Sequence, residues 1–382
     1  MTIKCVICNF EHHAIINHLS TVHNMTPEAY VAKYNAPVIS DTIHGMISKK
    51  LSRTTVSTDL TVKIGKTDLT VDTSVKGETC LPMPKGYQFP TKGEAGKAFE
   101  RALRAVKNGR NAFIWGMPGT GKDAFVHAFS ALTRRPALAL SFTPGKDLDG
   151  WFYKQVLDSN GSRWEFGAVW KAVTQGVEGK DGIRRAPMIL LSDVDRADPA
   201  QAEWFRILCD SISGRILDPH GNMVTLFRDQ FGNKPQFVCT ANSVGSGDAR
   251  GRMTSSNPID GSIMDRLGAK IEAHYMTWAE EGNILKGLYP ELAIQVGNDF
   301  FDKLGLITKG IRKSIAEGDI YGELTMRGLC DICNDATDIW MDNKSVTVRE
   351  LLTEALMAWT DGLDSDNRFE LTRLVDPVLG SI

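Results

Sequence analysis

Over the middle of the chain, short apolar runs alternate with longer stretches of helical periodicity. Asn111-Ala-Phe-Ile-Trp115, Pro136-Ala-Leu-Ala-Leu-Ser-Phe142, Ala186-Pro-Met-Ile-Leu-Leu-Ser192 and Gln236-Phe-Val-Cys-Thr-Ala-Asn242 each read as a buried strand. Ala124-Phe-Val-His-Ala-Phe-Ser-Ala-Leu132 carries apolar residues at helical spacing, and a further helix is expected from Glu94 to Val106. Strands alternating with helices predict an α/β fold with a parallel sheet, whose ligands bind at the strands' C-terminal ends.

Two other segments read as hairpins: Trp151 to Phe166, around the turn Asp158-Ser-Asn-Gly161, and Arg215 to Leu226. From about residue 275 the pattern turns helical, with stretches from Glu280 to Leu288, Ile294 to Leu304, Met326 to Trp340 and Val348 to Trp359. This predicts a helical lid and tail over 275–382, with Leu363 to Ile382 as a last helix. Upstream, 41–90 is rich in Ser, Thr and Lys. The alternation in Leu60-Thr-Val-Lys-Ile64 and from Leu69 to Val75 reads as a small hairpin or as a flexible linker. A Pro-rich stretch, Leu81 to Pro90, then leads into a main domain expected over 91–274.

Composition narrows the class. The 382 residues suffice for two or three domains, and a formal charge of −2 gives no global basic field directed at nucleic acid. No run of about 18 apolar residues occurs, and Met1-Thr-Ile-Lys-Cys5 lacks the apolar core of a signal peptide. The expectation is a soluble, cytoplasmic protein with no membrane partner. Seven cysteines, two of them close together at the start, point to metal ligands and reduced thiols rather than a disulfide framework.

Gly116-Met-Pro-Gly-Thr-Gly-Lys-Asp123, set between a predicted strand and helix, matches a phosphate-binding loop except at its last position. In such a loop, backbone N–H groups cradle the phosphates, the lysine reaches the outer phosphates, and a Ser/Thr hydroxyl touches Mg²⁺. Gly116, Pro118, Gly119, Thr120, Gly121 and Lys122 supply the cradle, so ATP with Mg²⁺ is the expected ligand. Asp123 puts a carboxylate where the hydroxyl belongs. A later predicted strand ends in Ser192-Asp193-Val194-Asp195, where acids are expected to hold the metal and activate water.

Near the N-terminus, Cys5 and Cys8 followed by His18 and His23 make the ligand set of a closed tetrahedral Zn²⁺ site. Phe10, Ile15, Ile16, Leu19 and Val22 are the candidate apolar cluster around it. His12 and His13 are further imidazoles, either competing ligands or solvent-exposed. This spacing, with Met25-Thr-Pro-Glu-Ala-Tyr-Val-Ala-Lys-Tyr34 after it, resembles the prokaryotic Ros/MucR type of zinc finger over about residues 1–40. The resemblance implies DNA binding. Few Arg or Lys lie in the segment, which leaves protein docking or a structural role equally open.

Residues 95 to 360, roughly, resemble the MoxR-related AAA+ ATPases, and most closely the CobS type, the ATPase subunit of aerobic cobaltochelatase. The resemblance rests on the P-loop, Asp147-Leu-Asp-Gly150, Ser192-Asp-Val-Asp195 with Pro199, Cys239-Thr-Ala-Asn-Ser-Val-Gly-Ser-Gly-Asp248, Ile263-Met-Asp-Arg266 and Leu324-Thr-Met-Arg-Gly328. It implies an α/β P-loop AAA+ module, a parallel sheet flanked by helices, with a C-terminal helical lid. It further implies an ATP hydrolase in which Asn242 orients the attacking water. Arg266 would be the arginine finger reaching a neighbouring subunit's γ-phosphate, and Arg327 the sensor 2 residue. A finger acting in trans requires a ring, so a homo-hexameric remodelling motor is implied, acting on a protein client or with a von Willebrand factor A domain partner. The other reading is a zinc-finger DNA-binding protein whose nucleotide-gated ring hydrolyses slowly.

The chain departs from that family at the second acidic motif. Aligning Pro199 without a gap puts Ser192 at the metal-binding Asp and Asp193 at the catalytic Glu; otherwise Asp193 is the metal acid and Asp195 the base. In the gap-free register Asp123 and Ser192 look exchanged, a carboxylate and a hydroxyl swapped across one Mg²⁺ site. Cys330 and Cys333 have no second ligand pair and read as buried thiols.

Overall fold

The computed structural model describes residues 3–12, 16–34, 36–38, 60–143, 150–159, 161–198, 201, 214–244, 257–259 and 261–380. They belong to two compact units, Met1–Leu60 and Thr61–Ile382. Of the sequence features above, His13, Ile15, 147–149, Pro199 and 245–248 lie outside the described residues.

In the larger unit, five strands form one parallel sheet in the order Ala269–Glu272, Ala112–Trp115, Gln236–Ala241, Met188–Ser192, Ala137–Ser141. Side chains alternate between two cores. Phe113, Ile189, Leu191, Phe237 and Cys239 enter one, and Ala112, Ile114, Met188, Leu190 and Val238 enter the other. A sheet buried on both faces needs apolar residues at every position, which is why these strands appear in the sequence as unbroken runs. The architecture is a parallel α/β sheet with helices on both faces, followed by a set of C-terminal helices.

The strands Leu60–Ile64 and Thr67–Val71 pair as a hairpin turning at Gly65, whose φ is 59°. Ile64 and Leu69 are buried with Phe99 and Val126, so this segment is part of the core and no free linker. The hairpin Tyr153–Asp158 with Gly161–Phe166 carries Leu157 80% exposed. A second hairpin pairs Arg215–Leu217 with Met223–Thr225. The two meet where His220 packs edge-on to Trp164, ring centroids 6.4 Å apart.

The lid has its own core, built from Leu285, Phe300, Leu304, Ile311, Leu329 and Ile332 among others. Its main helices are Trp278–Leu288, Asn298–Glu317, Met326–Asp342 and Ser365–Gly380. The continuous helix expected from Ile294 to Leu304 is broken: Pro290–Gln295 ends, Gly297 turns at φ 90°, and Asn298 begins a new helix. Only a residue without Cβ takes that conformation cheaply. Glu280 closes a capping box with Thr277. It also accepts hydrogen bonds from Thr91 N (2.7 Å), Thr91 Oγ1 (2.9 Å) and Lys92 N (3.2 Å), just ahead of the helix Gly93–Lys107.

The smaller unit holds the paired strands Ile3–Lys4 and Glu11–His12 and the helices Ile16–Val22 and Pro27–Tyr34. Its core differs from the expected cluster. Cys5, Leu19 and Tyr30 are buried together, whereas Phe10 and Val22 are 45% and 61% exposed. Tyr30, from the second helix, fills the space those residues leave, and its hydroxyl accepts a hydrogen bond from Val6 N at 2.7 Å. Among the described residues no helix is long and apolar enough to cross a membrane.

Candidate functional site

The P-loop joins the strand Ala112–Trp115 to the helix Lys122–Thr133. Gly116, Gly119 and Gly121 sit at φ 151°, 76° and 81°, backbone conformations that residues with a Cβ rarely adopt. Two also have no room for a side chain. A Cβ on Gly116 would lie 2.3 Å from the Ala273 carbonyl oxygen, and one on Gly119 would lie 2.4 Å from Thr325 Cβ. Gly121, the N-cap, offers no side-chain acceptor to the helix's first N–H groups, so they stay available to an anion.

Gly119 therefore carries two constraints, its own φ and the approach of the lid. Gly119→Ala is expected to displace the lid from the loop and to weaken ATP binding about tenfold or more, ~1.4 kcal/mol. Unchanged affinity in a calorimetric titration would show that the Thr325 contact is dispensable.

Lys122 is nearly buried and donates to the Gly116 and Met117 carbonyls (2.7 and 3.1 Å) and to Asn242 Oδ1 (2.9 Å). Burial pulls its pKa down, opposed by Asp123, Asp193 and Asp195. Asn242 in turn donates through Nδ2 to Asp193 Oδ1 at 3.2 Å. One amide thus bridges the lysine and a carboxylate. Burial raises the pKa of Asp193, and the charges of Asp123 and Asp195 push it the same way. Asp193 also sits at φ 54°, a left-handed conformation that costs an L residue about 1–2 kcal/mol.

The other two acids do different work. Asp195 is 1% exposed, and its Oδ2 accepts from Asn242 N (3.1 Å), Ser243 N (3.0 Å) and Ser243 Oγ (3.1 Å). It clamps the turn that presents Asn242. Asp123 accepts a hydrogen bond from Thr240 Oγ1 at 2.6 Å. Thr240 is buried on the strand beside the P-loop strand; it lies within the 239–248 motif, but spacing alone assigned it no role. Ser192 is buried at the end of its strand, its carbonyl accepting from Phe142 N at 3.0 Å.

Arg327 is exposed in the first turn of the helix Met326–Asp342, two residues after Thr325, whose side chain abuts Gly119. Arg266 closes the helix Gly261–Arg266, its Nη1 donating to the Ser262 carbonyl at 2.6 Å. The Pro-rich stretch contributes more than a lead-in. Tyr87 and Pro90, with Phe99 and His274, line a cleft that reaches Thr120, Gly121 and Lys122. The cleft is lined mainly by apolar and aromatic side chains.

A cavity of about 440 Å³ lies at the other end of the sheet. Its cations have structural tasks. Arg135 donates to the Val106 carbonyl near the end of the helix Gly93–Lys107, and Arg185 is held between Asp72 and Asp181. The open helix N-terminus that suits an anion lies instead at the P-loop.

In the smaller unit, one ligand atom from each of Cys5, Cys8, His18 and His23 lies within 4.8 Å of the others. Cys5 Sγ to His23 Nε2 is 3.6 Å, Cys8 Sγ to His18 Nε2 3.0 Å, Cys8 Sγ to His23 Nε2 3.3 Å, and the two Nε2 atoms are 3.2 Å apart. A tetrahedral Zn²⁺ with ordinary bond lengths sets such edges at about 3.3–3.8 Å. The donor set and spacing fit that ion. In the lid, Cys333 is buried and Cys330 partly so; burial raises both thiol pKa values, which leaves them poor nucleophiles.

No protein-family model and no curated protein matches the chain. Among solved structures it is similar to the Thermotoga maritima RuvB Holliday junction branch migration motor, at 13% identity over 74% of each chain with a TM-score of 0.44. It is also similar to NtrX from Brucella abortus in complex with ADP, at 12% identity over 77% of this chain and 69% of that one, TM-score 0.47. Likenesses this distant bear on neither activity nor substrate.

Proposed function

We propose that the chain is a AAA+ ATPase that hydrolyses ATP at the P-loop and works as a ring-forming remodelling motor of the MoxR/CobS kind. The observation that carries this reading is the Lys122–Asn242–Asp193 bridge, which sets a cation, an amide and a carboxylate around the loop. Lys122 would neutralise the outer phosphates, Asn242 would hold the attacking water, and Asp193 would take its proton. Burial and the charges of Asp123 and Asp195 raise the Asp193 pKa, the direction that makes a carboxylate a better proton acceptor. Asp123, oriented by Thr240, would hold Mg²⁺ with Ser192, and the ion would neutralise charge on the phosphates. With Asp195 committed to the Asn242 turn, the gap-free register is the one adopted here. Arg327 would close from the lid of the same subunit, and Arg266 would act in a neighbour's site, which makes a homo-hexamer the working form. The Zn²⁺ module would recruit a client, a protein complex or a von Willebrand factor A domain partner.

Phosphate release from wild type, Lys122→Ala and Asp193→Ala tests the reading. Each substitution is expected to lower turnover by about 10²–10³-fold, the size of effect seen when one preorganised group is lost. A wild-type rate no higher than that of Lys122→Ala would end the ATPase assignment.

A further inference from the structure

A polar chain runs from the P-loop into the lid and back. Tyr275, three residues beyond the edge strand Ala269–Glu272, donates its hydroxyl to the Pro118 carbonyl at 2.8 Å. The Arg312 guanidinium lies 3.9 Å from the centroid of the Tyr275 ring. Arg312 also donates to both carboxylate oxygens of Glu281, at 2.7 and 3.1 Å, and through Nε to the Leu324 carbonyl at 3.0 Å. Leu324 precedes Thr325, the cap of the helix that carries Arg327 and the residue that abuts Gly119. The circuit leaves the loop at Pro118 and returns to it one residue later.

Each link is directional. A bidentate guanidinium–carboxylate pair fixes the plane of the arginine. That plane fixes what stacks on it, the Tyr275 ring, and what accepts from its edge, the Leu324 carbonyl. Apolar packing would hold the lid together without any hydroxyl on a P-loop carbonyl. A half-buried tyrosine hydroxyl still favours a partner, and this one finds it on the segment expected to close round phosphates.

We propose that Tyr275 is a positioning residue, tying the P-loop to the helix Met326–Asp342 so that filling the loop sets the place of Arg327. This rests on the nucleotide reading above. The nucleotide-free and nucleotide-filled loops would then differ in where the lid rests.

Tyr275→Phe keeps the ring and its stack on Arg312 but removes the donor to Pro118. In the full-length chain, ATP affinity by calorimetry is expected to fall about tenfold, ~1.4 kcal/mol. The readout that a merely structural role would not move is coupling. Arg327→Ala should weaken ATP binding several-fold in the wild type but by less than about twofold beside Tyr275→Phe. Arg312→Lys, which keeps the charge and loses the fork, should abolish the same coupling. Additive effects, or wild-type affinity in Tyr275→Phe, would overturn the proposal while leaving the nucleotide site intact. A wild type that binds no ATP would overturn both.

Discussion

Stripping the metal from the smaller unit is expected to unfold it. Structural zinc contributes about 10–16 kcal/mol of folding free energy in modules of this size. The fully buried side chains there, Cys5, Leu19 and Tyr30, can offer only about 1.5–3 kcal/mol each. The ordering entropy of the backbone, about 1–2 kcal/mol per residue, exceeds that sum many times over. A strong chelator, or Cys5→Ser with Cys8→Ser, should therefore erase amide-exchange protection over Ile16–Val22 and Pro27–Tyr34 and release the bound zinc. Metal content that survives the double substitution would refute the site.

Replacing Arg312 by leucine should cost the larger unit about 3–5 kcal/mol at neutral pH, because Glu281, 2% exposed, is left buried without its countercharge. The loss should depend on pH in a definite sense. Burial already raises the Glu281 pKa, and Arg312 is what opposes the rise. A carboxyl with a raised folded-state value stabilises the fold below its unfolded value, and that contribution is lost as pH rises through the folded value. Without Arg312 the value climbs further, so the penalty should be greatest at neutral pH and shrink on acidification. Urea unfolding between about pH 4.5 and 8 measures it. Glu281→Leu combined with Arg312→Leu should recover most of the loss, since replacing a whole buried pair with apolar groups is often neutral. A double variant as unstable as the single one would mean that packing, not charge, sets the cost.

What can be read from the sequence is what depends on local spacing. Cys5, Cys8, His18 and His23 declare themselves by spacing, as do Gly116, Gly121 and Lys122. The sheet strands are legible because burial on two faces makes most of their positions apolar. Contacts between distant residues are not. Thr240 and Asp123 stand 117 residues apart, and Tyr275 and Pro118 stand 157 apart. No periodicity links either pair. Asp195 shows a different limit: in sequence it is one more acid near a strand end, and only its three bonds to Asn242 and Ser243 show it clamping a turn. Nor does spacing tie Asp123, read as exchanged with Ser192, to the hydroxyl of Thr240 on the strand between them.

Glu280 has a mechanical consequence. One carboxylate serves the start of the lid's first helix and the segment leading into the helix Gly93–Lys107. These bonds join the two segments at one point, so a translation of the lid there would break them where a small rotation would not. The helix Asn298–Glu317, 20 residues and about 30 Å long, then works as a lever arm. A rotation that moved atoms by a fraction of an ångström at that tie would move the far end of the helix several times as far.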